Sequence, residues 1–176
     1  MYEGKNPKAL LSIRLITEAF IREMHHKKYE EINVKDLCKE ADVSRQTFYN
    51  IFRTKEDVLR KCIDNIFDMI LNQRSDTVDA IESIHIFVKT FYENRDFMDL
   101  LIRNHLEKIL TEEFVYAISG LSKSMENSQR EHLDYQLAFY AGGLTQILIH
   151  WMKDEERVSS DELIDILANS IQLPYF

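Results

Sequence analysis

Residues 29–59 read YEEINVKDLCKEADVSRQTFYNIFRTKEDVL, and the punctuation of this stretch decides the fold. Val34, Leu37, Cys38 and Ala41 recur at the i, i+3, i+4, i+7 spacing of one buried helix stripe. Asn33 stands where an N-cap belongs, with Asp36 in the reciprocal position of a capping box. The stripe stops at Ala41, and Asp42-Val43 leaves room only for a tight connection. One residue there must adopt a left-handed backbone, which Asp tolerates and Gly takes at lower cost. Ser44 then caps a third short helix, Arg45 to Ile51. Thr54, with Asp57 as its partner, opens a fourth from Lys55 to about Gln73. Two short helices joined by a tight turn and followed by a longer one form the helix-turn-helix layout.

Residues inside this unit separate by role. Val34, Leu37, Cys38, Ala41, Val43, Phe48 and Phe52 are apolar and lock the two short helices together. Arg45, Gln46, Thr47, Tyr49 and Asn50 are polar and project from the other side of the third helix. Arg and Gln near a helix N-terminus suit bidentate contacts with guanine and adenine in the major groove. Thr47, Tyr49 and Lys55 are donors suited to phosphate oxygens. The helix N-termini at Val34 and Lys55 add backbone N–H groups and favourable dipole ends.

Upstream, Ile13, Ile16, Phe20 and Met24 mark a first helix from about Pro7 to His26. Downstream, helical patterns predict segments near 78–92, 96–109, 111–122, 129–153 and 160–172, after a polar break at 73–76. No strand pattern of useful length occurs. The expected fold is therefore all-α. A three-helix DNA-binding head, 1–54, precedes a helical regulatory and dimerisation bundle, 55–176, and helix 55–73 connects the two.

Net charge is −8, which alone argues against nucleic acid. Its distribution reverses that reading. Residues 1–61 hold 13 Lys and Arg against 10 Asp and Glu, whereas 62–176 hold 9 against 20. A mildly basic head on an acidic body offers only one end to phosphates. Only 4 Gly and 2 Pro occur, too few for a turn-rich β fold or a phosphate-cradling loop enzyme. There is no Gly-rich phosphate loop, no HExxH, no Cys pair at metal spacing and no nucleophile elbow, so neither an enzyme, a cofactor nor a metal site is expected. The chain opens without a secretory pattern and has no run of membrane-spanning length. A reduced cytoplasmic protein, with Cys38 and Cys62 as buried thiols, is the expectation.

The 29–59 stretch resembles the DNA-binding signature of the TetR family of bacterial transcription regulators. The family pattern is Thr-Val-x-x-Ile-Ala-x-x-Ala-Gly-Val-Ser-x-x-Thr-Phe-Tyr-x-x-Phe-x-x-Lys-Glu-x-Leu. Val34, Ala41, Val43, Ser44, Thr47, Phe48, Tyr49, Phe52, Lys55, Glu56 and Leu59 match it position by position. Asn33 departs from Thr, Leu37-Cys38 from Ile-Ala, and Asp42 from Gly. The first two changes keep the capping and the apolar face, whereas Asp42 touches the geometry of the turn. The body, in FVKTFYENRDFMDLLIRN and AFYAGGLTQILIHWMKDEERVSSDELIDIL, is similar to the short C-terminal domain of a Firmicutes-type subgroup that includes relatives of a dihydroxyacetone-kinase operon regulator. The resemblance implies a repressor whose affinity for its operator is modulated by a small-molecule effector. The alternative is a regulator or activator whose body binds a protein partner instead. It also implies Thr47, Tyr49 and Lys55 as phosphate contacts with Arg45 and Gln46 near the bases, and Asn33, Val34, Ser44 and Asn50 beside them complete the expected DNA-facing set.

The body is dense in aromatic and Met side chains, which suits either an apolar effector pocket or plain core. The candidate ligand set is Phe91, Met98, Arg103, His105, Tyr116, Tyr140 and His150. Its polar members orient a ligand, satisfy one another, or face solvent. From Leu137 to Met152 only Thr145, Gln146 and His150 are polar, so that helix needs cover on both sides. A homodimer follows, with Leu137, Tyr140, Gly142, Gly143, Leu144, Ile147 and Trp151 at its interface. Leu163, Ile166, Leu167 and Ile171 on the last helix complete it. Two-fold symmetry would present two heads to a palindromic duplex DNA operator.

Overall fold

The computed structural model describes residues 6–73, 80–122 and 132–170. Among them the fold is all-α, without a strand, and the chain divides into two units, Met1–Ile63 and Asp64–Phe176.

In the first unit, helix α1 (Pro7–His26) opens on Asn6, whose side chain accepts the Lys8 N–H at 3.0 Å. Pro7 sits in the first turn, where its missing donor costs nothing. A 3-10 turn, Tyr29–Glu31, leads to α2 (Val34–Glu40), α3 (Arg45–Ile51) and the start of α4 (Lys55–Gln73). The apolar face read from the sequence is the core. Leu37, Cys38, Ala41, Phe48 and Phe52 are buried, and Ile16, Phe20, Ile32, Val58 and Leu59 close around them. Phe20, Phe48 and Phe52 are the largest of these fully buried side chains. Truncating such a ring to Ala costs about 3–5 kcal/mol, a large share of the roughly 5–15 kcal/mol that holds a domain folded. Both cysteines are free and buried. Burial pushes the Cys62 thiol up to about 12, so it stays protonated and unreactive.

The second unit holds the far half of α4 with α5 (Ala80–Glu93), α6 (Arg95–Arg103), α7 (Glu107–Ser122), α8 (Leu133–Lys153) and α9 (Ser160–Ser170). Helix α7 packs on α8 and α5 on α9, while α6 touches α5, α7 and α8. At the centre, Phe114 stacks between Phe67 and Phe87, with ring centroids 5.1 and 5.0 Å away. Phe91 leans on both Phe87 and Phe67 at 4.8 and 6.0 Å. Each such pair adds about 0.5–1.5 kcal/mol beyond the area it buries. No described helix is long and apolar enough to cross a membrane.

Two expectations change here. The helices predicted at 96–109 and 111–122 divide instead at Asn104–Leu106. His105 adopts a left-handed backbone at φ 54°, and the Leu106 N–H returns to the Leu101 carbonyl at 2.9 Å. This is the doubly bonded helix end that a glycine usually supplies. Thr111, read as a helix start, lies inside α7 with its hydroxyl donating to the Glu107 carbonyl at 3.0 Å. The second change concerns Trp151, Leu163 and Leu167, which were placed at a dimer interface. All three are buried within the chain itself. Trp151 Nε1 donates to the Val158 carbonyl at 2.7 Å, and α9 presses on α5. Residues 78–79, 129–131 and 171–172 of the predicted helices, Ile171 among them, lie outside the described residues, as do 74–76 of the predicted break.

Candidate nucleic-acid interface

Local hydrogen bonds set the two short helices. Asn33 Oδ1 accepts the Asp36 N–H at 3.0 Å, and Asn33 Nδ2 donates to Asp36 Oδ2 at 2.9 Å. Lys27 Nζ reaches the same carboxylate oxygen at 3.3 Å. The Lys27 hydrogen bond holds the Asp36 carboxyl below its ordinary value, against a smaller upward push from burial. At the far end of α2, Asp42 takes a left-handed φ of 51°, as the tight connection demands. The Val43 N–H closes that end on the Cys38 carbonyl at 2.9 Å. Ser44 Oγ accepts the Thr47 N–H at 2.9 Å and lies 2.8 Å from the Thr47 hydroxyl.

Helix α3 then has two unlike faces. Phe48 and Ile51 are buried, while Arg45, Gln46, Tyr49 and Asn50 are exposed and Thr47 is half-buried. The Tyr49 ring is seated edge-on against Phe48, centroids 5.4 Å apart, and the Arg45 guanidinium lies 6.0 Å from the Tyr49 ring centre. Buried Phe48 thus gives the ring a seat, and Arg45 stands at the outer limit of a cation–π contact with it. Asn33 and Ser44 are exposed beside this face, and Val34 is half-buried.

The start of α4 is also built locally. Asp57 Oδ2 accepts the Arg53 and Thr54 N–H groups at 2.8 and 2.9 Å, and Thr54 Oγ1 accepts the Asp57 N–H at 3.2 Å. Lys55, expected at phosphate oxygens, turns its side chain back onto its own chain. Its Nζ donates to three backbone carbonyls, Tyr29 at 2.6 Å, Ile32 at 2.9 Å and Glu30 at 3.1 Å. It also stands 4.4 Å from the Tyr29 ring centre. Sequence reasoning missed Tyr29, whose partner lies 26 residues away and leaves no local pattern.

The candidate ligand residues of the body fall into two groups. Phe91 and Met98 are buried; Arg103, His105, Tyr116 and His150 are exposed, and Tyr140 is half-buried beside Phe139. Arg103 lies 3.7 Å from the Asp99 carboxylate one turn back, an exposed pair of little energetic weight. A shallow groove of about 420 Å³ on α7 is lined by Lys108, Thr111, Glu112 and Val115, none of them in the candidate set.

Of the candidate dimer residues, Gly143 and Ile166 are exposed and Tyr140, Gly142, Leu144 and Ile147 are half-buried. Leu137 lies on α8, with its side chain outside the described residues. On α8 the exposed side runs through Gln136, Phe139, Gly143, Gln146 and His150. A Cβ at Gly142 or Gly143 would meet nothing within 4 Å beyond its chain neighbours and its own helix backbone.

Comparisons with known proteins follow the same division. Residues 16–62 match the family described as bacterial regulatory proteins, tetR family. Residues 79–173 match the family described as transcriptional regulator C-terminal region. The chain is 30% identical over 90 residues to the dhaKLM operon transcriptional activator DhaS of Lactococcus lactis, a stretch covering 51% of this chain and 48% of that protein. The chain thus spans about half the length of this curated relative. Among solved structures, Lin0861 from Listeria innocua superposes with a TM-score of 0.77 at 16% identity, over 99% of this chain and 97% of its own. A TetR transcriptional regulator from Streptococcus agalactiae gives 0.65 at 20% identity, over 93% and 94%. At these identities the two likenesses speak for the fold.

Proposed function

This chain belongs to the tetR family of bacterial regulatory proteins, and we propose that it is a homodimeric transcription regulator that reads a palindromic operator in cytoplasmic DNA. The observation that carries this reading is the two-faced α3, anchored by Phe48 and exposing Arg45, Gln46, Tyr49 and Asn50. Arg45 and Gln46 face base edges, while Thr47, Tyr49 and the N-terminal ends of α2 and α4 hold phosphates. Site selection from a random pool of duplex DNA tests it. Palindromic sites, bound more weakly as salt rises, are the expected result. A pool that stays unselected would overturn the reading.

Support for the dimer comes from α8. Two mid-helix glycines cost about 1 kcal/mol each against Ala, and nothing within 4 Å of either position requires them. Close approach of a second copy along Gln136, Phe139, Gly143, Gln146 and His150 gives Gly143 a purpose.

Regulation by a small effector in the body remains the first reading implied by family, with Phe91, Met98 and Tyr140 as apolar lining and Arg103, His105, Tyr116 and His150 as polar contacts. A specific observation favours the partner-protein alternative. Phe67, Phe87, Phe91 and Phe114 fill one another's space inside, whereas Tyr116 and Tyr135, outside the proposed dimer stripe, are 71% and 73% exposed. Aromatic side chains spent outward suit a protein surface better than an internal pocket. Repression by occupancy is the simplest outcome of operator binding, and the Lactococcus relative is named an activator. A promoter fusion carrying the selected site, read with and without this protein, separates the two.

A further inference from the structure

We propose that Lys55 is a positioning residue of the DNA-reading unit, whose side chain is a clamp that ties the backbone of residues 29–32 to the first residue of α4 and itself makes no contact with DNA. The proposal rests on the reading of α3 given above. An ammonium has three N–H donors and no acceptor. The three carbonyls of Tyr29, Glu30 and Ile32 converge on Lys55 Nζ at 2.6, 3.1 and 2.9 Å, one for each donor. The Tyr29 ring closes a further side of the cation at 4.4 Å, and Phe20 in turn meets that ring edge-on at 6.2 Å. Burial lowers the Lys55 ammonium from its ordinary value, as expected for a charge drawn in from solvent.

What the clamp joins explains why it matters. Ile32 is buried, and the next residue, Asn33, caps α2. Lys55 is the first residue of α4. One side chain therefore sets the distance between the N-terminal ends of α2 and α4, the two ends proposed to hold phosphates. Helix α3 hangs between them, so an error in that distance moves every base-reading side chain together. A phosphate contact would need only a charge, which Arg supplies as well as Lys. A convergent three-way clamp needs a compact ammonium, and the planar guanidinium fork cannot reproduce it.

The test uses the full chain and its Lys55→Met and Lys55→Arg variants, with random-sequence duplex DNA as the probe. Binding is measured across a salt series, and amide hydrogen exchange of residues 29–37 is followed in the free protein. A clamp predicts that both variants lose about tenfold in affinity, the worth of one charge-assisted hydrogen bond. Their salt slope stays that of the parent, and exchange at 29–37 speeds by a similar factor. A phosphate contact predicts a slope shallower by about 1 in Lys55→Met, recovery in Lys55→Arg and unchanged exchange, and that result overturns the proposal. In the unsubstituted protein the Lys55 ammonium protons should be protected from exchange before DNA is added and unmoved afterwards. Protection appearing only with DNA would also overturn it, even where a variant fails to fold. If the parent chain bound no DNA, the reading of α3 would fail, and protection of the free ammonium would still decide the clamp.

Discussion

The Val43 N–H donates to the Cys38 carbonyl at 2.9 Å, across a turn whose middle residue, Asp42, carries a φ of 51°. A second bond, from the Asp42 N–H to the Lys39 carbonyl at 3.3 Å, completes the helix end. Between them they set the angle at which α3 leaves α2, so the aim of Arg45 and Gln46 depends on a backbone that an L residue adopts only at some cost.

Replacing Asp42 with Gly should therefore raise the stability of the head by about 0.5–1 kcal/mol, part of the left-handed penalty being returned and part offset by the freer unfolded chain. Urea unfolding reads the gain, and DNA affinity should be unchanged. A loss of stability would mean that the Asp42 side chain contributes more than its backbone costs.

Arg45→Ala should weaken operator binding by about 1–3 kcal/mol and relax preference at one base pair. Tyr49→Phe keeps the ring seated on Phe48 and loses only the hydroxyl, so it should weaken all sequences alike. Site selection with both variants checks the division of labour. Identical changes in base preference would show that it is wrong.

Gly143→Glu should separate the proposed dimer while each chain stays folded, because Gly143 is exposed and a Cβ there meets nothing within 4 Å beyond its chain neighbours and its own helix backbone. Tight operator binding should go with it, since each head then binds alone. Light scattering at micromolar concentration is the direct measurement. If the unsubstituted protein were a 20.9 kDa monomer, the dimer would be excluded.

The head should lose stability in acid through Asp36. Its folded carboxyl titrates below the ordinary value, chiefly because Lys27 donates to it. A depressed acid contributes stability that is present above its unfolded pKa and lost as pH falls through the folded one. Melting temperature should thus decline below about pH 4, and Asp36→Asn should flatten that limb. An unchanged acid limb in the variant would rule out this pair as a contributor.

Much of the head was legible because its decisive interactions are short-range. Asn33 with Asp36, Ser44 with Thr47, and Thr54 with Asp57 each join residues three apart. Spacing within a single helix turn is therefore enough to place them. The set of the Lys55 side chain was not legible, for the opposite reason. Its acceptors lie 23 to 26 residues upstream, and the family signature marks the position without saying where the side chain turns. The end of α6 hid likewise, because Asn104-His105 has no Gly or Pro to announce the left-handed residue.

The sequence by itself determined most of the head's buried residues and where most helices begin, since periodicity and capping are properties of neighbours along the chain. It also determined the two-faced α3, because polar and apolar residues alternate there at helical spacing. Only the tertiary structure decided what each buried face is buried against. Trp151, Leu163 and Leu167 read equally well as interface or as core, and it is the packing of α9 on α5 and the Val158 carbonyl over Trp151 that makes them core. An apolar side chain records the need to leave water, and its partner is settled only when distant segments meet.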